Sequence, residues 1–189
     1  MLLVQILLNL HKTMFMKNNI KLFITDINGV WTNNRVYYDK NGNETKCFNL
    51  NDGVGVMFLY LNNIPVVVIT EDHNEIVKLR LQKLKITDYH LRVTNKIKTA
   101  EEILKKYNVK WDETAYIGDD ISDLPLLKKV GYAAVPGQTP YYVKKEVPHI
   151  LTRHGGGGVF REFVEKYLDE IGLLNETVEK YLSVYESLN

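Results

Sequence analysis

The sequence predicts an α/β fold, a three-layer Rossmann-like parallel sheet with helices on both faces. Two observations carry this. Short apolar, β-branched runs alternate with stretches of helical spacing from Ile20 onward. Three of those runs stop at Asp26, Thr70 and Asp119-Asp120, at the strand ends where open parallel sheets place their ligands. The 189 residues amount to one domain, and 45% hydrophobic with 25% charged residues is the balance of an ordinary globular chain. That composition excludes disordered, collagen-like and multi-span membrane classes.

The N-terminal run Met1–Leu10, MLLVQILLNL, is too short to span a bilayer and lacks the basic start and cleavage site of a secretory signal. Residues 1–19 read as an N-terminal extension to the domain, with the native start expected at Met14 or Met16 just before Lys17-Asn18-Asn19, and a docking segment or interfacial helix as the alternative. Lys21–Thr25 is a buried strand ending at Asp26. Val36–Tyr38 and Thr45–Phe48 flank Asp39-Lys40-Asn41-Gly42-Asn43, and Asn-Gly is a strong hairpin signal. Asp52–Asn62 has helical spacing, and Val66–Ile69 is a strand buried on both faces that ends at Thr70. Glu75–Leu84 is a helix with Ile76, Leu79 and Leu84 on its apolar side, and Ala100–Tyr107 is another. Thr114–Ile117 is a third strand, Leu124–Lys129 a short helix, and Tyr132–Val135 a fourth strand. Gly155–Gly158 reads as a flexible break before a helix over Phe160–Leu168. Residues 20–170 form the domain, and 171–189 a C-terminal amphipathic helix. Its stripe of Val178, Tyr181, Leu182 and Tyr185 packs either on its own domain or on a neighbouring subunit.

Charge and composition narrow the partners. Lys plus Arg number 24 against 23 Asp plus Glu, a net charge of +1, so no general field draws in nucleic acid or an anionic membrane. A lone Cys47 forms no intrachain disulfide and fits a reducing, cytoplasmic setting. Five scattered His offer no zinc-ligand spacing.

A carboxylate can attack phosphorus, but only if a cation screens the two anions from each other. Mg²⁺ suits that task, because it takes a few hard oxygen ligands and keeps some waters. Asp26 with Asp119 or Asp120, arriving from separate strands, would form such a pocket. Thr70 could bond a phosphate oxygen, and Lys96 or Lys98 could neutralise the remaining charge.

Four segments then carry a resemblance: Asp26-Ile27-Asn28-Gly29-Val30, Val68-Ile69-Thr70, Asn95-Lys96 and Gly118-Asp119-Asp120-Ile121-Ser122-Asp123. In order, they are similar to the four motifs of the haloacid dehalogenase superfamily of aspartate-nucleophile phosphatases. The stretch Tyr37–Gly53, with its hairpin and Asn51-Asp52-Gly53, narrows the likeness, as does His154-Gly155-Gly156-Gly157-Gly158-Val159-Phe160-Arg161-Glu162. Together they resemble the capless phosphatases of 3-deoxy-octulosonate 8-phosphate and of nine-carbon keto-sugar 9-phosphates, with a lean to the 2-keto-3-deoxynononate 9-phosphate group.

The resemblance implies a β-hairpin flap in place of a large cap domain, Mg²⁺ as cofactor, and a homotetramer whose sites are completed by neighbours. It assigns Asp26 as nucleophile and metal ligand, Asp119 as metal ligand, and the main-chain carbonyl of Asn28 as a third ligand. Thr70 and Lys96 match the phosphate-binding pair. Asp72, Arg80 and Lys83 match positions that hold the sugar acid, while Asp120 and Asp123 read as residues that orient their loop.

Three residues depart from the pattern. The family carries a proton-transferring Asp two residues after the nucleophile, and this chain has Asn28. An amide carries no proton in that way, and losing a general acid–base costs on the order of 10²–10⁴ in rate. Glu71 stands where the family has Gly, and Asn95 where it has Asp. Two functions follow: a Mg²⁺-dependent sugar-acid phosphatase slowed at residue 28, or an inactive relative that binds a sugar phosphate or serves as an oligomerisation module.

Overall fold

The computed structural model describes residues 19–186 and, within the last helix, not the side chain of Tyr185. Expectations for residues 1–18 lie outside the described residues. Six parallel strands form one sheet in the order β5-β4-β1-β6-β7-β8. They are β1 (Leu22–Thr25), β4 (Val66–Ile69), β5 (Tyr89–His90), β6 (Thr114–Ile117), β7 (Tyr132–Val135) and β8 (His149–Ile150). The two-residue edge strands β5 and β8 go beyond the four strands expected, because two residues carry no readable period.

Alternation along β1 sorts its side chains between two layers. Phe23 joins the core under α1 (Asp52–Leu61), α2 (Glu75–Lys83), α6 (Val159–Glu170) and α7 (Leu174–Glu186). Leu22 and Ile24 join the core under α3 (Lys96–Tyr107) and α4 (Leu124–Leu127). A short helix α5 (Tyr141–Lys144) adds Val143 to this second layer. The hairpin β2 (Tyr37–Tyr38) and β3 (Glu44–Thr45) stands apart from the sheet, with Tyr37 opposite Thr45. No helix among the described residues is long and apolar enough to cross a membrane.

Three local expectations are corrected. α2 buries Val77 and Leu81, with Leu84 packed on the same core as expected, and leaves Leu79 58% exposed rather than on the apolar side. α3 begins at Lys96 rather than Ala100, because Asn95 caps it by accepting the Lys98 N–H at 3.0 Å. Gly155–Gly158 is a packed junction, not a flexible break. A Cβ on Gly155 would sit 2.0 Å from the Gly29 carbonyl oxygen, and Gly156 donates its N–H to the Val30 carbonyl at 2.9 Å. Gln138 ties the same two segments, donating to the Gly29 carbonyl and accepting from the Gly155 N–H.

Asp52 anchors α6 from outside it. Its Oδ1 accepts the N–H groups of Phe160 and Arg161 at 3.1 and 3.3 Å, satisfying two donors that a helix N-terminus leaves open. Burial pushes its carboxyl up to about 7 against the pull of those N–H groups. α7 packs on its own domain: Leu174, Val178 and Tyr181 lie against the core, and Tyr181 meets the Phe58 ring edge-on at 5.6 Å. Leu182 faces solvent.

Asp52→Ala removes the shared acceptor and strands one buried and one part-buried N–H group, so denaturant unfolding should show a loss of about 2 kcal/mol. Asp52→Asn keeps an acceptor oxygen and should cost less than half as much.

Candidate active site

The chain runs β1-β4-β5 to one side of the sheet and β6-β7-β8 to the other, so the order reverses between β1 and β6. Crevices form at such a reversal. Asp26 follows β1 there, its N–H bonded to the Ile117 carbonyl at 3.0 Å, and Asp119 follows β6 by two residues. The side chain of Trp31 donates to Thr25 Oγ1 at 2.9 Å and packs on Phe160, which fixes the turn that leaves β1.

Four ionisable groups meet at this point. Lys96, the first residue of α3, donates to Asp26 Oδ2 and to Asp123 Oδ1, both at 2.5 Å. Asp123 is fully buried and also accepts from the Tyr116 hydroxyl and from the main-chain N–H of Asp119 and Asp120. Oxygen atoms of Asp26, Asp119 and Asp123 lie within 4.8 Å of one another. Two glycines make the room: a Cβ on Gly29, which has φ +73°, would fall 1.7 Å from Asp119 Oδ2, and one on Gly118 would fall 2.3 Å from Asp123 Cγ.

Three carboxylates against one ammonium leave two negative charges in a buried space. Burial, then Asp123, raises the Asp26 carboxyl to about 6, with Lys96 pulling the other way. Burial, then Asp123 and Asp26, raises Asp119 to about 7. Burial alone would lower the Lys96 ammonium, but Asp26 and Asp123 outweigh it and push it upward. Hard oxygen donors with a two-charge deficit fit a small divalent cation.

The other expected residues divide. Thr70 is buried at the end of β4, and its Oγ1 accepts the Asp72 N–H at 3.2 Å. The Asn28 side chain donates from Nδ2 to Asp72 Oδ2 at 3.0 Å. Lys46, from just beyond β3, donates to Asn28 Oδ1 at 3.2 Å and to Asp72 Oδ2, with its side chain only 5% exposed. Arg80 turns to the Asn49 carbonyl at 2.8 Å, under the loop that leads into α1. Lys83, Lys98, Glu71 and Asp120 are exposed. The structure thus gathers Asp26, Asn28, Thr70, Asp72, Lys96 and Asp119 at the strand ends, and brings neither Arg80 nor Lys83 into contact with the carboxylates.

Sequence reasoning missed Lys46, Asn34 and the depth of Asp123. Asn34 donates to Asp119 Oδ2 at 2.8 Å. Asp123 had a usable signal in its spacing from Asp119; Lys46 had none, being one lysine in a hairpin.

The profile of haloacid dehalogenase-like hydrolases matches residues 4–163. This chain belongs to that family. Among its relatives, the 3-deoxy-D-manno-octulosonate 8-phosphate phosphatase of Haemophilus influenzae is 35% identical over 172 residues, 90% of this chain and 96% of that one. A crystal structure of the Moraxella catarrhalis phosphatase of that name, in complex with magnesium ion, phosphate ion and the sugar acid, superposes with a TM-score of 0.84. It is 26% identical, covering 90% of this chain and 98% of that one. The cobalt-bound Haemophilus influenzae enzyme superposes at 0.78 with 36% identity over 82% and 91% of the two chains.

Because Asp26 and Asp119 ionise at about 6 and about 7 in this fold, their neutral forms favour folding in acid. That contribution is complete below the ordinary carboxylate range and lost as pH rises through 6 and 7. A hard divalent cation offsets the loss. The rise in melting temperature on adding one should therefore be small at pH 5 and grow steadily to pH 8. Asp119→Asn should flatten that growth.

Proposed function

We propose that this chain is a Mg²⁺-dependent phosphoric monoester hydrolase acting on a phosphorylated keto-sugar acid. The observation that carries the reading is the set of Asp26, Asp119, Asp123 and Lys96 at the reversal between β1 and β6. The names of the relatives favour the eight-carbon 8-phosphate over the nine-carbon esters toward which the sequence leans.

Asp26, Asp119 and the main-chain carbonyl of Asn28 would hold Mg²⁺, which when bound screens the phosphate from the carboxylates around it. Asp26 attacks phosphorus, the bond to the sugar oxygen breaks, and an aspartyl phosphate forms on Asp26. Lys96 carries a charge between Asp26 and Asp123 and can extend it to an equatorial phosphate oxygen. Thr70 keeps its hydroxyl proton free for a second oxygen, since its lone pair is what takes the Asp72 N–H. Water then cleaves the aspartyl phosphate and returns Asp26.

The chain's only cysteine, Cys47, is exposed and free, which supports a cytoplasmic setting. The flap carries Tyr37, Tyr38 and, just beyond it, Leu50 at 54%, 69% and 80% exposure, which supports a homotetramer with neighbours closing each site. Light scattering on the purified protein tests that directly.

A second reading, a sugar-phosphate binder without turnover, is favoured by Asn28 and Glu71. One assay separates them. The phosphatase reading expects Mg²⁺-dependent phosphate release from the eight-carbon ester, faster than from nine-carbon esters, and reduced more than about 10³-fold by Asp26→Ala. Vanadate binding with no phosphate release would establish the binder instead.

A further inference from the structure

Residue 28 leaves a gap in the chemistry just described. The sugar oxygen departs as an alkoxide and needs a proton, and the attacking water must later lose one. The Asn28 amide supplies neither. We propose that Lys46 is the catalytic residue that makes both transfers, and that Asp72 is the positioning residue that holds it; this rests on the phosphatase reading above.

The placement is specific. Lys46 extends from the flap to the side chain of residue 28, within one hydrogen bond of the place a carboxylate there would occupy. Asn28 Oδ1 and Asp72 Oδ2 engage two of its three N–H donors, and the third has only the longer 3.4 Å approach to Glu44. Asp72 itself is committed: Oδ1 accepts the Asn74 N–H at 2.9 Å, and Oδ2 accepts both Asn28 and Lys46. It therefore holds rather than donates. Glu71 is exposed beside Thr70.

Asp72 also gives a reason for the amide. A carboxylate at residue 28 would stand about 3 Å from another carboxylate, whereas the amide offers Asp72 a donor and Lys46 an acceptor. Residues 28, 46 and 72 thus form one unit in which the proton carrier has moved from the loop after β1 to the flap.

The protons balance. As Asp26 bonds to phosphorus and the ester bond breaks, an N–H of Lys46 passes its proton to the sugar oxygen, leaving a neutral amine. An ammonium is a far stronger acid than a sugar hydroxyl, so this transfer runs downhill. In the second step the amine takes a proton from water as its oxygen attacks the aspartyl phosphate, and Lys46 returns to the ammonium form.

The test compares an alkyl ester, the eight-carbon 8-phosphate, with p-nitrophenyl phosphate, whose leaving group departs without a proton. Lys46→Met and Lys46→Arg should each lose on the order of 10²–10⁴-fold on the alkyl ester. The arginine keeps the pairing with Asp72 but gives up no proton. The first-turnover burst of nitrophenolate should change less than about fivefold, because that step needs no general acid. Adding Asn28→Asp to Lys46→Met should recover the alkyl ester, and a thermal melt confirms that each variant folds. Wild-type rates in Lys46→Arg, equal losses on both esters, or no recovery in the double variant would each overturn the proposal. Activity in Asn28→Asp with an inert starting chain would remove Lys46 and leave the phosphatase scaffold standing. If no variant, Asn28→Asp included, cleaves either ester, both readings fall together.

Discussion

Lys96 stands 2.5 Å from each of two carboxylates that would otherwise repel in a buried space. Take that ammonium away, and three acids at the ends of β1 and β6 face one another with no countercharge. Keep it, and the site still lacks one divalent ion's worth of positive charge. Burial first, and then the neighbouring carboxylates, press the Asp26 and Asp119 carboxyls upward. The protein holds its carboxylates close together in a buried space, a repulsion that a bound divalent cation relieves and that the same cation must overcome before a phosphate can enter. Breaking such a buried pair is expensive, because the partner left behind keeps its desolvation cost.

The rest of the fold exists to keep those charges in place. β1 and β6 are neighbours in register, so Asp26 and Asp119 emerge side by side. Gly29 and Gly118 clear the volume that the carboxylates fill. Behind them, Gly155 and Gly156 close against the loop of residues 29–33, Gln138 bridges the two, and Asp52 ties the start of α6 to the start of α1. The loop carrying Asn28 is therefore braced from the C-terminal part of the chain, more than a hundred residues away.

What the sequence made legible follows from the range of each signal. Runs such as Val66–Ile69 are apolar over their whole length because both faces of the strand are covered, and no local pattern competes with that reading. Asp26, Thr70 and Asp119 could be placed because each follows such a run, and Lys96 because of its motif. β5 and β8 could not, since two residues at a sheet edge have no period. The four glycines were misjudged because composition cannot distinguish a loose linker from a backbone pressed against another backbone. Lys46 was invisible for a related reason. Its importance lies in a contact with Asp72 across 26 residues, made from a hairpin whose tyrosines face solvent.

Phosphoryl transfer at this site requires a carboxylate oxygen of Asp26 to take the phosphoryl group. The direct measurement is peptide mapping by mass spectrometry after an acid quench of the protein with Mg²⁺ and the eight-carbon ester. A phosphoryl adduct on the peptide containing Asp26, absent without Mg²⁺ and absent in Asp26→Ala, is the predicted result. Phosphate release with no adduct at any quench time, or an adduct on another residue, would contradict it.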